Sequence, residues 1–171
     1  MTSATLGSAL SPVELPTADR PPLGPDACAS IAATLAASPQ RWLRFTGPGT
    51  LESRWFQRVV REARYEAWIL GWAPGHELDF HDHGPSSGAI HVLRGALLEQ
   101  HTSRGSADAP HDRYLLARST VSFGPDHVHS VTAAGPTAAL SIHVYSPPLD
   151  TMTHYDVAPG SVPVATSTEV C

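Results

Sequence analysis

The chain has few cysteines and no long apolar run. Its 171 residues include only Cys28 and Cys171, which are too few and too far apart to indicate a disulfide framework or a cysteine-based zinc site. We therefore expect a protein of a reducing compartment, the cytoplasm. The chain opens without a signal-peptide pattern, and no apolar run approaches the roughly 18 residues of a membrane-spanning helix. No membrane partner is expected.

Positive charge is also scarce. The chain carries 11 Lys and Arg residues against 16 Asp and Glu, a formal net charge of −5, and its basic residues form no run. A nucleic-acid surface or an anionic membrane would require clustered positive charge. These absences leave small molecules as the expected partners of what we predict to be a monomer.

The length and composition suit one domain. Residues 1–25 are rich in Pro, Ser, Thr and Gly without hydrophobic periodicity, so we expect an extended or disordered lead-in there. The tail, residues 157–171, has the same character. The remaining segment, residues 26–156, is long enough to bury a single core.

A short helix is predicted directly after the lead-in, and strands fill the rest of the domain. Asp26 can cap the helix, whose apolar stripe indicates packing and not chemistry. From Trp55 onward, short runs rich in Val, Ile, Leu, Trp and Tyr are broken by turn residues, which predicts an all-β sandwich or barrel. The runs are WFQRVV, YEAWILGW, AIHVLRG, ALLEQHT, RYLLAR, VHSVTA and AALSIHVYS.

Two of the ten histidines stand out by their spacing. His81 and His83 are one residue apart, and residues i and i+2 of a strand point to the same face, so the two imidazoles can converge on one ion. The alternative is a pair of exposed histidines in a turn. Five other histidines lack a second candidate at metal-binding spacing and are assigned to surface or packing roles: His76, His91, His101, His111 and His154.

The surrounding residues resemble the two motifs of the cupin superfamily. Gly75, the two histidines, Gly88 and Gly95 stand at the spacing of the first motif, except that Gly88 occupies the position where that motif usually has glutamate. The stretch FGPDHVHSVTAAG resembles the second motif, which supplies one more histidine from the opposite side of the barrel. We choose His129, and His127 on the same strand face is the alternative. Three neutral imidazoles would leave one face of a metal ion open.

Polar side chains also alternate along the run ALSIHVYS. Ser141, His143 and Tyr145 share one strand face, and aliphatic residues fill the other. An edge strand that shows its polar face to water is one interpretation. The other is a hydrogen-bonded relay that directs the phenol of Tyr145 toward the metal pocket.

Taken together, GHELDFHDHGPSSGAIHVLRGALLE, DHVHSV and SIHVYSPP resemble the cysteine dioxygenase family of thiol dioxygenases over residues 40–156. The resemblance implies a jelly-roll-like cupin barrel with short N-terminal helices, and a cis bond before Pro147. It implies Fe(II) held by three histidines, matching His81, His83 and His129. It also implies a catalytic relay, matching Ser141, His143 and Tyr145.

The same resemblance accounts for Gly88. Animal members of the family place there a cysteine that can cross-link to the relay tyrosine, whereas many bacterial members resemble this chain in having glycine. A carboxylate ligand would occupy a position that the substrate needs and would repel an incoming thiolate. The implied reaction adds both atoms of O2 to the sulfur of a small thiol, with L-cysteine as first choice, in cysteine catabolism and taurine metabolism.

A substrate carboxylate requires a fixed cation. Arg58 follows Phe56 by two residues, which resembles the placement of the family's carboxylate-binding arginine, and we assign substrate binding to it. Arg54, on the same strand face, is the alternative. Phe56 replaces a tyrosine of animal relatives, so 3-mercaptopropionate stays open as a substrate beside L-cysteine. A metal-binding cupin without oxygenase activity, such as a sensor or a zinc or manganese isomerase, is the other function considered.

Overall fold

The computed structural model describes residues 21–46 and 53–171 of the chain. The lead-in expected over residues 1–25 lies almost wholly outside the described residues. No helix in the described ranges is long and apolar enough to span a membrane.

One α-helix, α1, spans Pro25–Ala36, and 3₁₀ turns follow at Pro39–Arg41 and Leu43–Phe45. The helix begins two residues earlier than the sequence predicts: Gly24 is its N-cap, and Asp26 makes no capping hydrogen bond. The reason is Pro25, whose fixed φ suits the first helical position. The predicted apolar stripe is confirmed, since Cys28, Ala32 and Leu35 are buried.

In the part of the chain that the structure describes, eleven strands form two antiparallel sheets. The orders are β1-β2-β9-β4-β7 and β11-β10-β3-β8-β5-β6. No strand pairing joins these two sheets in the described ranges, so the fold is a jelly-roll-like sandwich and not a closed barrel. The strands are β1 Trp55–Arg61, β2 Glu66–Trp72, β3 Glu77–His81, β4 Ser87–Arg94, β5 Ala96–Ser103, β6 His111–Leu116, β7 Thr120–Phe123, β8 His127–Ala133, β9 Ala139–Ser146, β10 Thr151–Asp156 and β11 Val164–Val170.

The seven runs read from the sequence correspond to β1, β2, β4, β5, β6, β8 and β9. The tail differs from the expectation of irregular chain, because β11 pairs along β10. All seven residues of β11 are exposed, so the strand is held by main-chain hydrogen bonds to β10 and not by burial of its side chains. For the same reason its sequence has no hydrophobic periodicity. Its β-branched residues at alternate positions, Val164, Thr166, Thr168 and Val170, are the signal that was available.

Strand β9 lies in the middle of its sheet, and all eight of its residues are buried. Tyr145 belongs to the apolar core between the sheets, whereas Ile142 and Val144 pack with residues of α1. The interpretation of an edge strand with a wet polar face is therefore wrong. The polar face of β9 points into the interior, where every polar group needs a partner.

Two features of the motifs have direct structural causes. Gly95 joins β4 to β5 with a φ of +74°, and a Cβ there would lie 2.7 Å from the carbonyl oxygen of Ala138. Only glycine fits such a turn without strain. The Ser146–Pro147 bond at the end of β9 is cis, as the resemblance implies.

Candidate metal centre

Three buried histidines meet between β3 and β8. His81 is the last residue of β3 and pairs across the sheet with His129 of β8. His83 follows in the turn after β3. The ring centroids lie 4.7 to 5.0 Å apart, and each residue is only 1% exposed. One nitrogen from each ring lies within 4.8 Å of the others, so the three can hold one metal ion.

The turn that carries His83 is held by the residue between the two histidines. The buried carboxylate of Asp82 accepts hydrogen bonds from the backbone N–H groups of Gly84 (3.0 Å) and Thr153 (3.1 Å) and from the hydroxyl of Tyr155 (2.8 Å). β3 ends at His81, so the two histidines do not share one strand as their spacing suggests. His83 instead lies beside His81 because Asp82 hydrogen-bonds to Thr153 and Tyr155 of β10 and so fixes the position of the turn.

The hydrogen bonds of two of the rings leave one nitrogen free for a metal. His81 Nδ1 lies 2.7 Å from the carbonyl oxygen of Asp79, which can only accept, so Nδ1 carries the hydrogen. His129 Nδ1 lies 2.7 Å from a carboxylate oxygen of Glu99. Both rings keep a lone pair on Nε2. Neither nitrogen of His83 has a hydrogen-bond partner in the described residues, a costly state that a bound metal would relieve.

The three rings are uncharged. Burial lowers the pKa of His81 to about 4 and that of His129 to about 3, although Glu99 acts in the opposite direction on His129. Burial, with the neighbouring histidines, holds the pKa of His83 well below its usual value. A neutral imidazole is the form that binds metal ions, so the donor set fits a transition metal such as iron.

Behind His129 lies a fully buried carboxylate. One oxygen of Glu99 accepts hydrogen bonds from His129 Nδ1 and from His127 Nε2 (2.8 Å), and the other accepts from Arg113 Nε. Burial alone would raise the pKa of Glu99, but these hydrogen bonds hold it well below its usual value. Because His129, and not His127, shares a group of close-lying ligand nitrogens with His81 and His83, the geometry favours His129 over His127 as the third ligand.

The place of the missing carboxylate is filled by a phenylalanine. A Cβ on Gly88 would lie 2.6 Å from two ring carbons of Phe123 and 2.9 Å from the carbonyl oxygen of Val144. The Phe123 ring stacks on His83, with centroids 5.2 Å apart and planes 25° apart. Gly88 therefore provides the space in which Phe123 covers one side of the three-histidine group.

The polar face of β9 forms a continuous hydrogen-bonded chain. Trp72 Nε1, which can only donate, gives its hydrogen to Ser141 Oγ at 2.9 Å. Ser141 Oγ lies 3.0 Å from His143 Nε2, and His143 Nδ1 lies 3.0 Å from the Tyr145 hydroxyl. Every group is satisfied if Ser141 donates to Nε2 and Nδ1–H donates to the Tyr145 oxygen. The phenolic hydrogen of Tyr145 is then free to be donated elsewhere.

Burial fixes the protonation of this chain. It lowers the pKa of His143 to about 3, so the imidazole is neutral and can accept at one nitrogen and donate at the other. Burial, with Glu66 nearby, raises the pKa of Tyr145 well above its usual value. Tyr145 is thus a hydrogen-bond donor over the physiological pH range. Its ring centroid lies 4.8 Å from that of His83.

A cavity of about 450 Å³ reaches His81 and Tyr145 from the surface. His154 and Glu169 line it as well, with His154 Nε2 3.2 Å from the Glu169 carboxylate. This volume is sufficient for a small molecule that carries several polar groups. The apolar part of the wall consists of Phe56, Trp68, Leu70, Leu78, Leu149 and Met152.

Three arginines of the cavity wall have different partners. Arg61 and Arg58 both approach one oxygen of the buried carboxylate of Glu66, with Arg58 Nη1 at 3.5 Å. Arg54 forms no such ion pair with any acidic side chain in residues 21–46 and 53–171, and its buried Nε has no hydrogen-bond partner there. Burial lowers the pKa of Arg54, although nearby Tyr145 and Asp79 act in the opposite direction.

Three residues of this region were not predicted from the sequence: Glu99, Phe123 and His154. Glu99 could have been suspected because it shares a strand face with Leu97, a position where a charged side chain is buried only with partners. No sequence pattern indicated the role of Phe123, since this role depends on the space left by Gly88 in the folded chain. His154 was assigned to surface or packing, but it pairs across the sheet with His81 and lines the cavity.

Comparisons with known proteins agree with this geometry. Residues 22–158 match a family model described as "Cysteine dioxygenase type I". The chain is similar to cysteine dioxygenase type 1 of Danio rerio, with 26% identity over 136 residues, which cover 72% of this chain and 66% of the relative. The chain thus spans slightly less than two thirds of that relative's length.

Solved structures with a similar fold include the TT1209 protein of Thermus thermophilus and an oxalate oxidase in complex with the substrate analogue glycolate. The first has a TM-score of 0.51 and 17% identity and covers 62% of this chain and 94% of its own. The second has a TM-score of 0.50 and 16% identity, and the match covers 61% of this chain and 56% of the oxalate oxidase chain. At these identities the likeness shows the fold alone, and that fold agrees with the cupin fold expected from the sequence.

The choice between His129 and His127 can be tested by metal content. We expect the protein loaded anaerobically with Fe(II) to retain about one ion, as three imidazoles around one centre predict. His129→Ala should lose most of this metal, because one of three ligands is removed. His127→Ala, two residues away on the same strand face, is the matched control and should keep it. Full iron in His129→Ala together with loss in His127→Ala would reverse the assignment.

Proposed function

The chain belongs to the cysteine dioxygenase type I family, and from this premise we propose that it is a non-haem iron thiol dioxygenase. The substrate that we propose is a small thiol with a carboxylate, L-cysteine first. One observation carries the proposal: three neutral imidazoles share a buried centre, and Phe123 fills the space where other cupins supply a carboxylate ligand. A cupin with a different function would usually keep that carboxylate.

We propose that His81, His83 and His129 hold Fe(II). When bound, iron would supply open positions for a thiolate and O2 and the redox chemistry between them. In the overall reaction, R–SH and O2 give R–SO2H: the O–O and S–H bonds break, two S–O bonds form, and the thiol proton ends on a sulfinate oxygen or in solvent. The sulfur loses four electrons and the two oxygen atoms gain four, so no external reductant is required.

Tyr145 is the residue that we propose to act on the reacting groups. The chain from Trp72 through Ser141 and His143 occupies the Tyr145 oxygen as an acceptor and leaves its hydrogen free. A donor of fixed direction beside His83 can hold an oxygen or sulfur atom of the substrates in place. Ser141 and His143 act through Tyr145 by fixing the direction of its hydroxyl.

Arg54 is the better candidate for the substrate's carboxylate. Charge-assisted hydrogen bonds are strongest where the cation is partly buried and has no competing anion. Arg54 meets this condition in the described residues, whereas Arg58 is 45% exposed at its side chain and faces Glu66. Arg58, the first choice from the sequence, stands beside Trp68 farther along the same wall and can assist.

The central test is an oxygen-electrode assay of the anaerobically iron-loaded protein with L-cysteine, 3-mercaptopropionate and cysteamine in parallel. We expect O2 uptake to match the sulfinate formed, identified by mass spectrometry as the thiol plus two oxygen atoms. His129→Ala protein treated in the same way corrects for thiol oxidation by free iron. If none of the three thiols yields sulfinate above this control, the chain is a metal-binding cupin of another function.

The role of Tyr145 has its own test. Tyr145→Phe removes the hydroxyl and leaves the ring against His83, so the iron content should equal that of the wild type. We expect kcat to fall by about 10- to 100-fold, the usual effect of an oriented group beside a metal site, with little change in KM. Unchanged kcat in the iron-replete variant would reduce the hydrogen-bonded chain of β9 to a structural feature.

The two arginines can be separated by a substrate that lacks a carboxylate. Arg54→Gln should raise KM for the best carboxylate-bearing thiol by about 10- to 100-fold, because a charge-assisted hydrogen bond contributes roughly 1.5–3 kcal/mol. Turnover of cysteamine, which has no carboxylate, should not fall. Arg58→Gln is the matched control and should have the smaller effect. The reverse order of effects would return the role to Arg58.

A further inference from the structure

We propose that Glu99 is a positioning residue of the metal centre, which fixes the orientation of His129 and makes its free nitrogen a stronger donor than it would be without the carboxylate. The inference rests on the proposed function only in requiring a metal at the three-histidine group. Glu99 is not a member of the group formed by His81, His83 and His129; its carboxylate belongs to a second group of possible metal ligands, with His127 and His129.

The geometry around Glu99 is specific. The carboxylate is fully buried, and the same oxygen lies 2.7 Å from His129 Nδ1 and 2.8 Å from His127 Nε2. A carboxylate oxygen can only accept, so both imidazoles donate to it. This arrangement assigns the hydrogen of His129 to Nδ1 and directs the lone pair of Nε2 toward His81 and His83.

The other two histidines have different environments. His81 donates Nδ1–H to a neutral acceptor, the carbonyl oxygen of Asp79. His83 has no hydrogen-bond partner in the residues that the structure describes. An imidazole that donates to a carboxylate is more basic than one that donates to a carbonyl, because the anion stabilises positive charge on the ring. Glu99 therefore makes His129 a stronger donor than the same buried ring would be without the carboxylate.

The position of Glu99 also bears on the missing carboxylate. Gly88 and Phe123 leave no room for a carboxylate from residue 88 at the three-histidine group. Glu99 brings one negative charge close behind His129, through one hydrogen bond and one ring. The metal then experiences part of that charge without losing a coordination position. Arg113, which is 31% exposed and binds the second oxygen of Glu99, partly offsets the negative charge of this carboxylate.

A purely structural role is the competing explanation, because Glu99 also links β5 to β6 through Arg113 and to β8 through the two histidines. Four variants separate the two roles. Glu99→Gln keeps the size but removes the charge. His127→Gln leaves the Glu99–His129 contact intact. Arg113→Gln removes the cation that moderates Glu99. Glu66→Gln alters another buried glutamate that binds arginines but no histidine.

The measurements are the Fe(II) affinity by chelator competition, the iron reduction potential by spectroelectrochemistry, and the thermal unfolding of the metal-free proteins. We expect Glu99→Gln to weaken Fe(II) binding by about 10- to 100-fold and to raise the potential, because the ferric state loses its nearby anion. Arg113→Gln should lower the potential. His127→Gln and Glu66→Gln should stay near the wild type in both readouts.

A purely structural link would not raise the reduction potential in Glu99→Gln and lower it in Arg113→Gln. Wild-type affinity and potential in Glu99→Gln would overturn the inference, as would an equal loss of affinity in Glu66→Gln. If metal-free Glu99→Gln does not fold, Arg113→Gln decides, since an unchanged potential there overturns the inference. None of these readouts uses thiol turnover. If the variants show these shifts in affinity and potential but the wild-type protein oxidises no thiol, only the proposed function is refuted.

Discussion

Three uncharged imidazoles packed side by side in the interior are the constraint on which the rest of the structure depends. A buried imidazole has one nitrogen that carries a hydrogen and one that does not, and each needs a partner. The N–H groups of His81 and His129 donate hydrogen bonds to the Asp79 carbonyl oxygen and to Glu99, respectively. The other nitrogen of each ring is then free to bind a metal ion. The fold has to deliver those partners as accurately as it delivers the histidines.

Three neighbouring strands perform this task. β3 carries His81, β8 carries His129, and β5 on the far side of β8 carries Glu99. The turn after β3 departs from strand geometry, and Asp82 compensates by binding two backbone N–H groups and Tyr155. β9, in the opposite sheet, completes the site with Tyr145. Each side chain of the site therefore comes from a strand or a tightly held turn, which limits its freedom to move.

The parts of this arrangement that follow from local periodicity could be predicted from the sequence. The alternation along β9 placed Ser141, His143 and Tyr145 on one face, and the motif spacing singled out His81 and His83 and favoured His129, with His127 as the alternative. Contacts that depend on sheet order could not be predicted. Glu99 meets His129 only because β5 pairs with β8, and Phe123 meets Gly88 only because β7 pairs with β4. Pairings of this kind are set by the whole fold and leave no period in the sequence.

The charges of the site explain why these unpredicted contacts matter. A thiol substrate with a carboxylate presents two anionic groups once its sulfur is deprotonated, so it needs two positive centres a fixed distance apart. In the proposed function, Arg54 would supply one at the cavity wall, and a metal ion with three neutral ligands would supply the other. A carboxylate ligand from residue 88 would weaken the positive charge of this second centre. Because Phe123 fills the space at Gly88 and Glu99 lies behind His129, the proposed metal ion would keep its attraction for the substrate while an anion still lies nearby.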